Sequence, residues 1–239
     1  MNTNRKTTNN QTKTGPSAAG LTRAAGLAAL VAGIVYAGIQ PIHPPDVLAS
    51  VTTTAWAIIT PLKTAMAILF MVGITGIYTR QVKEAGWLGL AGFVLLGLVW
   101  ALQTAFIFTE AFVIPPLAAV APTFIEGFFG IVNGHPVDTY LGALPMVYAL
   151  LGLMYMLGGL LFGIATFRAR ILPRGAAVLL AAASALTPLA ALFPHEIQRY
   201  AGIPVGLALA WLGYALFIER RAMAATGSAI PQATPSIAK

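Results

Sequence analysis

Residues 85–109 read AGWLGLAGFVLLGLVWALQTAFIFT, an apolar stretch without a single charged residue. A helix needs about 20 such residues to cross the hydrocarbon core of a bilayer. Long continuous runs of this kind exclude a β-barrel, whose strands are about ten residues long and alternate in polarity. The sequence therefore predicts an all-α integral membrane bundle of about six transmembrane helices. The other five runs lie at 24–42, 54–79, 140–167, 175–194 and 200–218.

The composition indicates the same fold class. Of the 239 residues, 58% are hydrophobic and 9% are charged, whereas a soluble domain carries about 25% charged residues. A chain of this length cannot bury so much apolar surface, which excludes water-soluble globular and disordered proteins. The chain has no cysteine, which excludes disulfides, thiolate metal sites and a cysteine nucleophile.

Polar segments flank the apolar part of the chain. We expect a disordered tail at 1–23, one transmembrane domain at 24–221 and a flexible tail at 222–239. The longest connection is the outer segment 110–139. Within it, Pro122–Gly134 is apolar nearly all round but too short to span a membrane. It is interpreted as an interfacial or re-entrant half-helix that either covers the mouth of the bundle or lies flat on the membrane.

The basic residues predict the orientation, because cytoplasmic loops are enriched in Lys and Arg. With both termini in the cytoplasm, twelve basic residues are cytoplasmic and only Lys63 and Arg199 are outer. The net charge of +7 thus reflects topology and not nucleic-acid binding. As an alternative, the first run is a signal peptide cleaved after Ala37, which leaves five helices. The twelve residues are Arg5, Lys6, Lys13, Arg23, Arg80, Lys83, Arg168, Arg170, Arg174, Arg220, Arg221 and Lys239.

Three stretches are familiar: GIYTRQVKEAGWLGLAGF (Gly76–Phe93), EAFVIPP (Glu110–Pro116) and MLGGLLFGIATFRARILPR (Met156–Arg174). In these the chain resembles small multi-pass inner-membrane proteins of bacteria that have no assigned function. The resemblance covers residues 24–221. It implies a bacterial inner membrane and a helical bundle, and it implies no activity and no site residue.

Histidines and acids concentrate on the predicted outer side, which receives all three His and five of the seven acids. Histidine together with carboxylate binds zinc and related metals, and histidine also titrates near neutral pH. One hypothesis is therefore an outer site for a metal ion, another cation or protons. The alternative is that outer loops are simply polar. The cluster consists of His43, Glu110, His135, Asp138, His195 and Glu196.

Few polar residues lie within the apolar runs. Gln103 and Glu110 are seven positions apart and share one helix face. Lys63 lies near the outer end of the second run, and antiparallel packing of the second and third helices brings it to the depth of Glu110. We expect either an intramembrane pair of Lys63 with Glu110, or a lysine that reaches the headgroups and a glutamate that faces water.

Two glycine patterns predict close helix packing: Gly159 with Gly163, and Gly202 with Gly206. Glycines four apart let two helix backbones approach each other. The partner is either another helix of this chain or a second copy of it, which would make a homo-oligomer.

The motifs of common enzymes do not occur. The chain has no phosphate-binding loop and no serine-hydrolase elbow, and the position four after His195 is Arg199 and not the second histidine of a zinc protease. No catalytic pair has a recognisable spacing, which disfavours an enzyme. No cofactor is predicted, and the predicted partner is the lipid bilayer.

Three functions stay open at this stage. The favoured one is a protein that binds or senses a small ligand, lipid or ion from the outer side. The others are a small transporter or channel, and an intramembrane enzyme that acts on a lipid or a quinone.

Overall fold

The computed structural model describes residues 17–135, 138–190 and 192–228, with the backbone alone at 195, 196 and 220–228. Nearly all of this part is helical and none of it is strand, which confirms the all-α fold class. The helices are α1 (Ala18–Ile39), α2 (Thr54–Arg80), α3 (Val82–Phe108), α4 (Ile114–Leu117), α5 (Pro122–Asn133), α6 (Leu144–Ala169), α7 (Arg174–Ala190), α8 (His195–Gln198) and α9 (Gly202–Ser228).

The six long helices form a closed ring in the order α1, α2, α3, α6, α7, α9. Each packs against the long helix that precedes it and the long helix that follows it in the chain, and α9 packs against α1. The short connections from α2 to α3 and from α6 to α7 favour such packing of neighbouring helices. A ring of six leaves an interior that its side chains must fill or leave open, and this interior is where the candidate site lies.

The outer surface of the ring is apolar, as a bilayer requires. Large side chains such as Ile34, Ile58, Val72 and Leu153 are about half exposed on different helices. An exposed apolar surface that continues around the molecule is unfavourable in water and favourable in lipid. Within the part of the chain that the structure describes, five helical stretches are long and apolar enough to cross a membrane: Ala18–Ile39, Thr54–Arg80, Val82–Leu117, Leu144–Ala169 and Arg199–Glu219.

The helix bounds differ from the expected spans at several ends. The first helix begins at Ala18 instead of 24, because the Ser17 hydroxyl accepts the backbone N–H of Gly20 at 3.0 Å and caps it. The fourth long helix begins at Leu144, not 140. The fifth apolar helix is only 17 residues long and ends at Ala190, and the last one continues to Ser228, beyond the expected start of the C-terminal tail.

The four glycines of the two packing patterns face helices of the same chain. A Cβ at Gly163 would lie 2.7 Å from the backbone N of Ala181 on α7, and one at Gly206 would lie 2.8 Å from the carbonyl O of Gly33 on α1. Gly159 and Gly202 similarly face Ser184 and Tyr36. These positions let α6 approach α7 and α9 approach α1. A homo-oligomer formed through them stays a prediction.

The segment after α3 covers part of the end of the bundle at which the loop between α1 and α2 lies. Helix α5 begins with Pro122 and ends at Asn133, and Gly134 caps it with a φ of 70°, the left-handed conformation that glycine favours. Its buried face presents Phe128 and Phe129, and the ring of Phe129 meets that of Trp56 edge-on at 5.4 Å. The helix therefore packs on the bundle through one apolar face.

Candidate functional site

A buried ionic contact joins α2 to the outer end of α3. The Lys63 Nζ lies 2.7 Å from Glu110 Oε2, and the two side chains are only 14% and 5% exposed. The same Nζ lies 2.8 Å from His43 Nε2. Of the two arrangements expected for Lys63 and Glu110, the structure places them in direct contact, with a histidine as the third member.

Glu110 faces the interior because α3 changes its winding at this point. Residues Thr109–Val113 form a π-helical turn between α3 and α4. Pro115 and Pro116 follow it, and proline lacks the N–H that an α-helix needs and clashes with the carbonyl four residues earlier. The backbone O of Glu110 accepts the indole N–H of Trp56 at 3.0 Å. This wider turn sets the direction in which the carboxylate points.

The contacts of His43 define its tautomer. Its Nδ1 lies 2.6 Å from the carbonyl O of Pro44, which can only accept a hydrogen bond. Its Nε2 faces the Lys63 ammonium, which can only donate. The hydrogen is therefore on Nδ1, and the ring is neutral. Burial, followed by the charge of Lys63, lowers the pKa of His43 from 6.5 to about 4, although Asp46 and the Pro44 carbonyl act in the opposite direction.

The loop between α1 and α2 is held from two further directions. The Arg199 guanidinium donates to the carbonyl O of His43 at 2.8 Å, and the Asn133 amide donates to the carbonyl O of Asp46 at 2.9 Å. Asn133 ends α5 and Arg199 lies just before α9. The loop thus closes over the contact between Lys63 and Glu110.

A cavity of about 450 Å³ lies inside the ring beside this network. Residues from all six long helices line it, and its walls are charged or polar at one end and aromatic or aliphatic at the other. Sites for small molecules in proteins commonly have about 300–1,000 Å³. The lining includes the polar, charged and aromatic residues Tyr36, His43, Asp46, Lys63, Trp100, Gln103, Glu110, Tyr148, Tyr155 and Arg199, together with Gly152.

Phenols and an indole form the deeper wall of the cavity. The hydroxyls of Tyr36 and Tyr155 lie 3.3 Å apart, and the ring of Tyr36 meets that of Trp100 edge-on at 5.6 Å. Trp100 is 2% exposed, and its Nε1–H has no acceptor among the residues that the structure describes. Because Trp100 precedes Glu110 by ten residues, its Cα lies about 15 Å from that of Glu110 along the helix axis.

The predicted outer cluster is only partly assembled. His43 and Glu110 meet through Lys63, and Gln103 lines the same cavity. His135 and Asp138 are exposed and do not line it. The side chains of His195 and Glu196 lie outside the described residues. Among the side chains that are described, no three of His, Asp and Glu are grouped closely enough to hold a metal ion.

Sequence reasoning missed the phenols of the site. Tyr36, Tyr148 and Tyr155 lie within apolar runs, where tyrosine is less common than at the two membrane interfaces. That position is the signal that could have found them. Hydropathy alone cannot distinguish an indole that only packs, as expected within an apolar run, from one that also lines a cavity, as that of Trp100 does.

No protein-family model, curated protein or solved structure matches this chain. The chemistry of the site must therefore be argued from its own residues.

We expect Lys63 and Glu110 to be strongly coupled in stability. Lys63→Met or Glu110→Gln alone leaves a buried ionisable group without its partner, which costs about 3–5 kcal/mol of unfolding free energy. The double variant removes both groups and should lose much less than the sum. Unfolding titrations of the four proteins in one lipid-detergent mixture measure this coupling. The matched control is the pair Arg80 and Glu219, which are 27% exposed and should couple by less than about 1 kcal/mol. Additive losses for Lys63 and Glu110 would contradict the buried pair.

We also expect His43 to make stability pH-dependent. Its pKa in the folded protein, about 4, is below the ordinary 6.5, so the unfolded chain binds this proton first as the pH falls. Stability is therefore complete above about pH 6.5 and declines as the pH falls towards 4. His43→Gln removes this contribution, so its melting temperature should fall less than that of the wild type between pH 7.5 and 4.5. His135→Gln, an exposed histidine outside the network, is the control. Equal slopes for His43→Gln and wild type would refute the neutral buried histidine.

Proposed function

We propose that this membrane protein binds a small amphipathic molecule in the cavity of the helix ring. The observation that carries the proposal is a cavity of about 450 Å³ whose lining combines the network of Lys63 and Glu110 with an aromatic wall. Ligand sites are mostly apolar with a few placed polar groups, and an ionisable residue within a span is by default a candidate for function.

Binding is better supported than conduction through the bundle. The inner half of the ring is filled by a tight apolar core in which Ile77, Phe162 and Leu216 are fully buried. A channel or transporter needs polar groups along its whole path, and these side chains provide none. Catalysis is also less well supported, because Lys63, Glu110 and His43 satisfy one another and leave no activated nucleophile.

We further propose that the cavity faces the outer side of a bacterial inner membrane, in a chain that crosses it six times. The inner end of the bundle carries Arg23, Arg80, Lys83, Arg168 and Arg174, at the start of α1, the end of α2 and the adjoining ends of α3, α6 and α7. Lys63 and Arg199 belong to the opposite end. With 17 residues, α7 is near the lower limit of about 17 residues for a crossing.

Single cysteines test the orientation, since the chain has none of its own. Val120 follows α4 and is 75% exposed. In intact cells, the Val120→Cys variant should react with a maleimide that cannot cross membranes. Lys83→Cys, between α2 and α3, should react only after lysis. The opposite pattern would invert the topology and place the cavity on the cytoplasmic side.

A substitution that fills the cavity with a bulky side chain tests the proposed function. At Gly152 of α6, which lines the cavity, an added Cβ meets no atom within 4 Å, so that Gly152→Phe can occupy the ligand space. Gly97 of α3 has equally open surroundings and does not line the cavity, so Gly97→Phe is the matched control.

The measurement is native mass spectrometry of gently solubilised protein. We expect one small-molecule adduct per chain in wild type and in Gly97→Phe, and a loss of at least about tenfold in occupancy in Gly152→Phe. An adduct that Gly152→Phe retains, or no adduct in any of the three proteins, would refute binding in this cavity.

A further inference from the structure

We propose that the ligand is a neutral molecule with a ring that carries carbonyl oxygens, the chemistry of a quinone headgroup. This rests on the proposed function, because it names the ligand class of the same cavity. The proposal combines three properties of the lining: its charge balance, its unused hydrogen-bond donors and its aromatic walls.

The formal charges of the described side chains that line the cavity sum to zero. The described lining includes the cations Lys63 and Arg199 and the anions Asp46 and Glu110, and the hydrogen bonds of His43 require a neutral ring. A proton transfer from Lys63 to Glu110 leaves this sum unchanged. In apolar surroundings an added net charge needs its own counter-charge, so the balanced lining disfavours both carboxylate and ammonium ligands.

The deeper wall offers donors and needs acceptors. The Trp100 Nε1–H is buried without an acceptor among the described residues, and such a group raises the free energy of the folded state unless a ligand satisfies it. Tyr36 and Tyr155 share one hydrogen bond, which uses the hydroxyl hydrogen of only one of them. A carbonyl oxygen accepts from such groups, whereas a ligand that only donates does not.

The walls at this end suit a flat ring. Tyr36, Trp100 and Tyr155 line this part of the cavity, and aromatic faces and edges pack favourably against another ring. A saturated chain would fill the volume without using these faces. Ile39, Met66 and Leu151 belong to the same lining, and they form an apolar surface against which a short hydrocarbon substituent of the ligand can pack.

The test compares two probes that differ in their carbonyl groups. One is a 1,4-benzoquinone with a single isoprenyl substituent, and the other is isoprenylbenzene, which has no acceptor oxygen. Their dissociation constants for the full-length protein in nanodiscs are measured by equilibrium dialysis, with dodecanoate and dodecylamine as charged probes. We expect wild type to bind the quinone at least about tenfold more tightly than any other probe.

Trp100→Phe removes the N–H and keeps an aromatic ring. We expect it to reduce the ratio of quinone to isoprenylbenzene affinity about tenfold, the effect of one neutral hydrogen bond. A general loss of packing would weaken both probes alike and leave the ratio unchanged. The control is Trp211→Phe, since Trp211 is 48% exposed on α9 and should retain the wild-type ratio.

The outcomes separate the ligand class from the function. An unchanged ratio of quinone to isoprenylbenzene affinity in Trp100→Phe overturns the ligand class. Tighter binding of dodecanoate or dodecylamine than of the quinone does so as well. If the wild type still carries an adduct that Gly152→Phe loses, the cavity binds a ligand of another class and the proposed function stands. If Trp100→Phe does not fold, the wild-type preference among the four probes still decides. Failure of all four probes together with no adduct in wild type overturns the proposed function as well.

Discussion

The half of this structure that carries the loop between α1 and α2 depends on one constraint: the Lys63 ammonium is buried and must be surrounded by acceptors. Leaving such a charge unpaired in an apolar interior costs several kcal/mol. Two acceptors from different parts of the chain meet it, Glu110 at 2.7 Å and His43 at 2.8 Å. Each brings its own segment into place, since His43 belongs to the loop after α1 and Glu110 to the turn after α3. The helix ring is thus held at this end by a buried ionic contact, while at the opposite end the ion pair of Arg80 with Glu219 is partly exposed.

The fold class followed from the sequence because hydropathy and length are local properties. Runs such as 85–109 and 140–167 are long enough to span and too apolar for water, whatever the tertiary arrangement. The contact of Lys63 with Glu110 was one of two expected arrangements, because depth along antiparallel helices can be counted from a short loop. What that counting could not decide was whether the two side chains turn inward. The π turn at Thr109–Val113 decides it, and it depends on backbone hydrogen bonds that no residue pattern encodes uniquely.

Other parts of the site depend on contacts between distant segments. The bond of Arg199 to the carbonyl of His43 joins residues 156 positions apart, and the phenols of Tyr36 and Tyr155 are 119 apart. Closure of the ring by α9 against α1 brings such groups together, and it rests on small residues such as Gly33 and Gly206 at which the backbones touch. Glycines are frequent in membrane helices, so their presence alone does not identify which pair of helices they join.

The division of the cavity into two ends bears on which groups meet a ligand. Lys63, Glu110 and His43 are already bonded to one another, so a ligand that displaced one of them would first have to break a buried ionic contact. These three residues therefore stabilise the wall of the cavity, and we do not expect them to bind the ligand directly. The Trp100 indole differs, since its N–H is buried and lacks an acceptor among the described residues. A group whose hydrogen bond is unmade in the free protein contributes more to binding than one that must exchange partners. For that reason we expect the aromatic end of the cavity, where Trp100 lies ten residues before Glu110 on the same helical stretch, to be the end that recognises a ligand.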